Sequence, residues 1–291
     1  MHNKKFRIIG IGELILDDYP VAGEYAGGVP TNYIRQVNRL GFEGILVSRI
    51  GKDTTGTKLI QMLQQQAVET KYIQQDDFHP TARIQIEIGH DGQPVYKKGM
   101  PVAAYDFLSP DPALDGLSQS ADAIVFTALG QRNIPARQTI QGFVQKSRNS
   151  FVLLDCNWRP TYNDAAEILD SSFRLANALK LNLKEIGLVQ KKFGFARYEE
   201  LIPFLFDKFN FEFILLTSGP EGAAYFSPEK TVQSPAIPTN VVDLTGCGDA
   251  FGAAALVEYL KGSPPEIMLS AGLKLAATVA KGLGAFPEIL V

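Results

Sequence analysis

The feature that most constrains this chain is a repeated exchange between two kinds of segment. Short, largely apolar runs alternate with stretches of helical length. Phe6-Arg7-Ile8-Ile9-Gly10-Ile11 is the first run, and 44–50, 123–128, 151–155, 179–182 and 213–217 follow it. Runs so short and so apolar suit strands covered on both faces. Segments 30–40, 54–66, 135–146, 164–176 and 198–209 lie between or beside them, and in the first of these Ile34, Val37 and Leu40 share one helical face. Strand–helix alternation of this kind predicts a mostly parallel sheet with helices on both sides. Two further helices are expected at 248–261 and 265–281, and no repeat or linker divides the chain, so 1–291 reads as one α/β domain.

One segment departs from the rhythm. Thr81-Ala82-Arg83-Ile84-Gln85-Ile86-Glu87-Ile88 alternates polar and apolar side chains, His90-Asp91-Gly92 makes a turn, and 94–98 is extended again. That predicts a β-hairpin with one polar and one apolar face. The apolar stripe of Ala82, Ile84, Ile86 and Ile88 is free to pack internally or to meet a second copy in a homodimer.

Composition excludes several chemistries. The net charge of −3 offers no basic face for nucleic acid. No apolar run reaches the ~18 residues of a membrane span, and Met1-His2-Asn3-Lys4-Lys5 leads into a strand without a secretory apolar region. Two cysteines far apart, Cys156 and Cys247, point to a reduced, cytoplasmic protein. Three histidines (His2, His79, His90) argue against a histidine triad or a zinc site, which leaves carboxylates for acid–base work. Gly10-Ile11-Gly12-Glu13 lacks the third glycine of a dinucleotide-binding turn.

The chemistry is concentrated in Asp243-Leu244-Thr245-Gly246-Cys247-Gly248-Asp249-Ala250-Phe251. Gly246 and Gly248 flank one small residue where a helix begins. The free N–H groups of a helix start, with glycines beside them, can cradle an anion. Asp249 then stands where a carboxylate could take the proton of an attacking alcohol. The plainer alternative is an acid that stabilises the helix dipole by ~0.3–1 kcal/mol. By the same dipole argument the helix start should lower the acid's pKa and favour a Cys247 thiolate, protected by nucleotide from thiol reagents; a cysteine merely filling a small-residue position is the alternative.

This stretch resembles the D-T-x-G-A-G-D-x-F signature of the ribokinase-like (PfkB) carbohydrate kinases, with Leu244 and Cys247 where Thr and Ala are common. Further motifs follow the family's order from Gly12 to Pro287. Gly12-Glu13-Leu14-Ile15-Leu16-Asp17 is similar to the G-E-x-x-x-D of fructokinase-like members, and Gly27-Gly28-Val29-Pro30-Thr31-Asn32 to their glycine-rich sugar motif. Asp155-Cys156-Asn157-Trp158-Arg159 matches D-x-N-x-R, Asn182-Leu183-Lys184-Glu185 matches N-x-x-E, and Thr217-Ser218-Gly219-Pro220-Glu221-Gly222 matches T-x-G-x-x-G. Local readings compete: a turn and cap for Gly27–Asn32, a solvated loop acid for Asp17, an Asx turn for Asp155 and Asn157, a capping box for Asn182 and Glu185, and a tight turn for Gly219 and Gly222. Trp158 reads as packed.

The resemblance implies a three-layer α/β/α fold with a small β lid formed by about 13–26 and 79–98. It implies transfer from Mg-ATP to a hydroxyl of a small, fructose-like sugar. Asp249 is then the general base, Gly246, Cys247 and Gly248 the anion hole, and Arg159 a stabiliser of the transferring group. Asp17, Gly27, Gly28, Asn32 and Arg83 bind sugar; Asn182, Thr217, Gly219, Gly222 and Gly284 meet the nucleotide; Glu185 serves Mg²⁺ through water; Asp243 lies at a monovalent-cation (K⁺) site. Lid-to-lid homodimerisation is also implied. A kinase of 2-keto-3-deoxygluconate or another sugar acid is the alternative that Arg83 or Arg159 facing a carboxylate would favour. A nucleoside kinase and a non-catalytic sensor complete the alternatives.

Overall fold

The computed structural model describes residues 5–97, 99–147, 149–162 and 164–288. His2 and Lys98, the latter expected to end the second hairpin strand, lie outside the described residues. The chain begins with β1 (Arg7–Ile11), β2 (Ile15–Tyr19), β3 (Gly23–Gly27), α1 (Val29–Arg39), β4 (Glu43–Gly51), α2 (Thr54–Gln65), β5 (Ile73–Asp76), β6 (Ala82–Ile88) and β7 (Pro94–Tyr96). It continues with α3 (Pro112–Gln119), β8 (Ala123–Thr127), α4 (Ile134–Lys146), β9 (Phe151–Asp155), α5 (Ala165–Leu175), β10 (Ala178–Asn182) and α6 (Leu183–Phe193). Then come α7 (Tyr198–Lys208), β11 (Phe213–Thr217), β12 (Ala223–Phe226), β13 (Thr231–Ser234), α8 (Cys247–Leu260) and α9 (Pro265–Val279).

Nine strands form one sheet in the order β13-β12-β11-β10-β9-β8-β1-β4-β5. It is parallel from β11 to β5, and β12 and β13 extend it antiparallel at one edge. Strand alternation divides the core. Ile9 and Ile11 of β1 pack with α3 to α7 on one face, while Ile8 packs with α1, α2, α8 and α9 on the other. Helix α1 shows the expected face at Ile34 and Val37; Leu40, placed there too, is its C-cap and 37% exposed, because the helix stops one residue short of it.

The departing segment forms a second sheet, β3-β2-β6-β7, inserted after β1 and again after β5. Its polar face (Arg83, Gln85, Glu87) is exposed, whereas Ala82 and Ile86 are buried. The stripe therefore packs largely within the chain. β4 and β8 flank β1 on opposite sides, so β1 is a switch point at which loops diverge and leave a crevice. The small sheet hangs from the C-terminal end of β1, beside that crevice. Among the described residues, no helix is long and apolar enough to cross a membrane.

Candidate active site

The signature loop is built to stop α8 from capping itself. Gly246 takes a left-handed φ of 75° at the N-cap, and a Cβ there would lie 2.3 Å from Ala285 Cβ. No side chain caps the helix, and among the described residues the N–H groups of Gly248 and Asp249 have no acceptor. Asp243 is fully buried and ties the loop down: Oδ1 accepts from Thr245 N–H at 2.8 Å, and Oδ2 from Tyr19 Oη and Gly284 N–H, each at 2.8 Å. Three protein donors give this acid a structural task beside the cation expected there. The lid also touches the loop, since Leu244 N–H donates to Gly92 O at 3.0 Å.

Asp249 is half-buried and makes no ion pair among the described residues. Its Oδ2 accepts from Asn32 Nδ2 at 2.7 Å. Burial above all, then the charge of Asp155, pushes its carboxyl up to about 6, although Lys180 and the Asn32 hydrogen bond pull the other way. The helix start was expected to lower it; desolvation outweighs the dipole. An acid poised near neutrality is better suited to accept a proton.

On the lid side, Asp17 is buried, and burial pushes its carboxyl up to about 8 against the pull of Arg35. Gly27 leaves room for that carboxylate, because a Cβ there would meet all three carboxyl atoms. Gly28, with φ 99°, begins α1 hard against Glu13 O. Arg83 is corrected: it lies on the opposite face of the small sheet, 45% exposed, paired with Asp18 at 2.9 Å and Glu24 at 3.0 Å. Register sets this, since Leu16 faces Arg83 and Asp17 faces Ile84. Tyr96 pairs with Ile86 and so shares the inner face. Its hydroxyl lies within the field of Asp17, Asp249, Asp243 and Arg159. The hairpin alternation did not single it out.

Across the crevice, Asn182 caps α6 through Lys184 and Glu185 N–H, and Glu185 Oε2 returns to Asn182 N–H at 2.9 Å. The capping box is real, and Glu185 still keeps one oxygen without a donor among the described residues. Its carboxyl is pushed up to about 7, mainly by burial and then by Asp155. Thr217 ends β11, and Gly219 (φ 57°) and Gly222 (φ 102°) turn the chain into β12. Gly284 takes φ 73° beside the Tyr25 ring. Arg159 is exposed at the crevice mouth, near Tyr96 and Glu185, and among the described residues donates only to Trp158 O. Trp158 is packed, its Nε1 on Ala165 O.

Two groups of residues escaped sequence reading. Glu13 is fully buried, accepts from Thr127 Oγ1 at 2.8 Å and Asn157 Nδ2 at 3.4 Å, and is pushed by burial up to about 7. It steadies Asn157, whose φ of 36° is left-handed. Lys180 and Tyr33 both donate to Asp155 Oδ2, at 2.7 and 2.8 Å, under the Gly248 turn.

A family model described as "pfkB family carbohydrate kinase" matches residues 20–288. The chain belongs to this family. The kinase is 27% identical over 270 residues to a putative sugar kinase, PH1459, of Pyrococcus horikoshii (87% of this chain, 83% of the relative). It is 26% identical over 299 residues to a fructokinase of Klebsiella pneumoniae (96% and 95%). The structure of a putative ribokinase II from E. coli, in complex with ATP and Mg²⁺, superposes with a TM-score of 0.85 at 20% identity, covering 96% of this kinase and 94% of that chain.

The cradle cysteine of this kinase is not activated. Burial first, then Asp243 and Asp249, pushes the Cys247 thiol up to about 12, which corrects the expectation of a thiolate. Since the thiolate is the reactive form, iodoacetamide at pH 7.5 should alkylate Cys247 at least about 100-fold more slowly than free cysteine. Equal rates by mass spectrometry would show that the helix start dominates after all.

Proposed function

We propose that this kinase transfers the γ-phosphoryl group of ATP to a hydroxyl of a small neutral sugar of the fructose type. The observation that carries the reading is Asp249, oriented by Asn32, next to N–H groups with no acceptor and beside Asp17 under the lid. In this reading Asp17 and Asn32 hold sugar hydroxyls, and Asp249 takes the proton as the oxygen attacks phosphorus. Gly246, Cys247 and Gly248 receive the phosphoryl oxygens, and Arg159 at the mouth balances their charge. Asn182, Thr217, Gly219, Gly222 and Gly284 border the nucleotide.

The donor set fits Mg²⁺. No cluster of three or more metal-ligating acids, histidines or cysteines exists among the described residues, and Glu185 offers one free oxygen. A cation that keeps its waters and shares phosphate oxygens needs no more, and it would neutralise phosphate charge. Charge supports a neutral acceptor. Of the two cations a sugar acid could use, Arg83 faces outward, and Arg159 at the mouth is assigned in this reading to the phosphoryl oxygens; Arg35 is spent on internal partners.

A coupled ADP-release assay across fructose, ribose, 2-keto-3-deoxygluconate, fructose 6-phosphate and nucleosides tests this. The highest kcat/KM is expected for a neutral sugar. Preference for either anionic sugar would overturn the neutral-acceptor reading, and ADP release with none of them would favour the sensor.

A further inference from the structure

Among the described residues Arg35 is the largest fully buried side chain, 1% exposed, on the face of α1 that also carries Thr31 and Asn32. Burying a guanidinium costs several kcal/mol unless it is well paired, and here the pairing is incomplete. Nη1 donates to Ala26 O at 2.5 Å and Asn32 Oδ1 at 3.4 Å, the Phe286 ring covers Cζ at 4.5 Å, and Nε has no hydrogen-bond partner among the described residues. Burial lowers its pKa to about 9, and Asp17 supports the charge. A leucine would fill this place more cheaply, so the placement of the cation needs another reason.

Its contacts supply one. An asparagine amide can present either oxygen or NH₂ by a simple flip. Arg35 occupies Oδ1 of Asn32, and that leaves Nδ2 facing Asp249 at 2.7 Å. We propose that Arg35 is a positioning residue for phosphoryl transfer: by holding Asn32 Oδ1 it makes Asn32 a permanent donor to Asp249, so that the carboxylate lies oriented toward the incoming hydroxyl. This rests on the reading of Asp249 as the base. A flipped amide would set its oxygen against the carboxylate or accept from the protonated acid. In both cases the base loses the donor that favours its ionised form. Arg35 also lies beside Asp17, which places both sugar-side groups under one fixed cation.

A double-mutant cycle tests the proposal with the sugar that the wild type turns over best. Arg35→Met should lower kcat about 10- to 30-fold through lost orientation of the base, with KM for ATP nearly unchanged. The double variant Arg35→Met/Asn32→Ala should be no slower than Asn32→Ala alone, since residues in one network do not act independently. Losses that multiply, or wild-type kcat in Arg35→Met, would overturn the idea. Arg35→Lys guards against misfolding: it keeps the charge but loses the guanidinium's reach to Ala26 O and Asn32 Oδ1, so full activity there also counts against it. A readout free of turnover is the Asn32 side-chain amide signal in ¹H–¹⁵N spectra, assigned by its loss in Asn32→Ala. It should be sharp in the wild type and broadened or shifted in Arg35→Met. An unchanged signal refutes the positioning role, whereas absence of any sugar turnover refutes the proposed function instead.

Discussion

Asp249→Asn is expected to lower kcat at least about 100-fold, the loss that goes with removing a general base, while KM for the sugar changes little. Asparagine keeps the shape and can still accept from Asn32, but it cannot take a proton. The pH profile gives the second readout. With the Asp249 carboxyl at about 6, wild-type kcat should rise as pH increases through 6 and then level off. Stability should move the other way. The folded carboxyl sits above its ordinary 3.8, so the native state binds the extra proton between roughly 3.8 and 6, and stability falls as pH rises through that window. At pH 8 the asparagine variant should therefore unfold at a temperature no lower than the wild type. Near-normal turnover, or a profile flat through pH 6, would remove Asp249 from the chemistry. A variant that is inactive because it is unfolded would show instead that the acid holds the structure together.

The sequence was informative where chemistry follows from neighbours along the chain. Strand β9 matches its apolar run end for end, and the glycines around Cys247 announced an uncapped helix start. It was silent where function depends on distant partners. Nothing in the runs around Tyr33, Asp155 and Lys180 shows that three elements bring them to one buried oxygen. Arg35 reads as an ordinary helical cation until Asn32, one turn before it, is seen to need a fixed amide. Arg83 was misassigned because alternation gives two faces without naming the inner one; only the register of β6 on β2 does that. Strand β13 was missed because it alternates at an exposed edge and lacks the buried run of a central parallel strand. The pKa of Asp249 went the wrong way for a related reason. The dipole is local and legible, whereas burial and Asp155 come from the fold.

Lys180→Met should be the most destabilising of the substitutions considered. Lys180 and Asp155 are 4% and 3% exposed and 2.7 Å apart. Burial alone would depress the Lys180 pKa, yet Asp155, Glu185 and Asp249 hold it above the ordinary 10.5. One ammonium thus serves three acids. Its loss leaves Asp155 with Tyr33 alone and a buried charge uncompensated, a change that costs about 3–5 kcal/mol. For a chain of this length the thermal midpoint should drop on the order of 10 °C. Adding Asp155→Asn removes the orphaned charge while keeping an acceptor for Tyr33, so the double variant should regain most of that loss. In the single variant Asp249 lacks the cation that favours its ionised form while Asp155 still opposes it, so the kcat profile should shift to higher pH. The double variant loses both charges, Asp155 the larger influence, and its profile should return to the wild-type position or below it. A single variant as stable as the wild type would mean that the pair is solvated in solution. A double variant no more stable than the single one would mean that Lys180 acts by filling space under the Gly248 turn, and that the charge network described here does not govern the base.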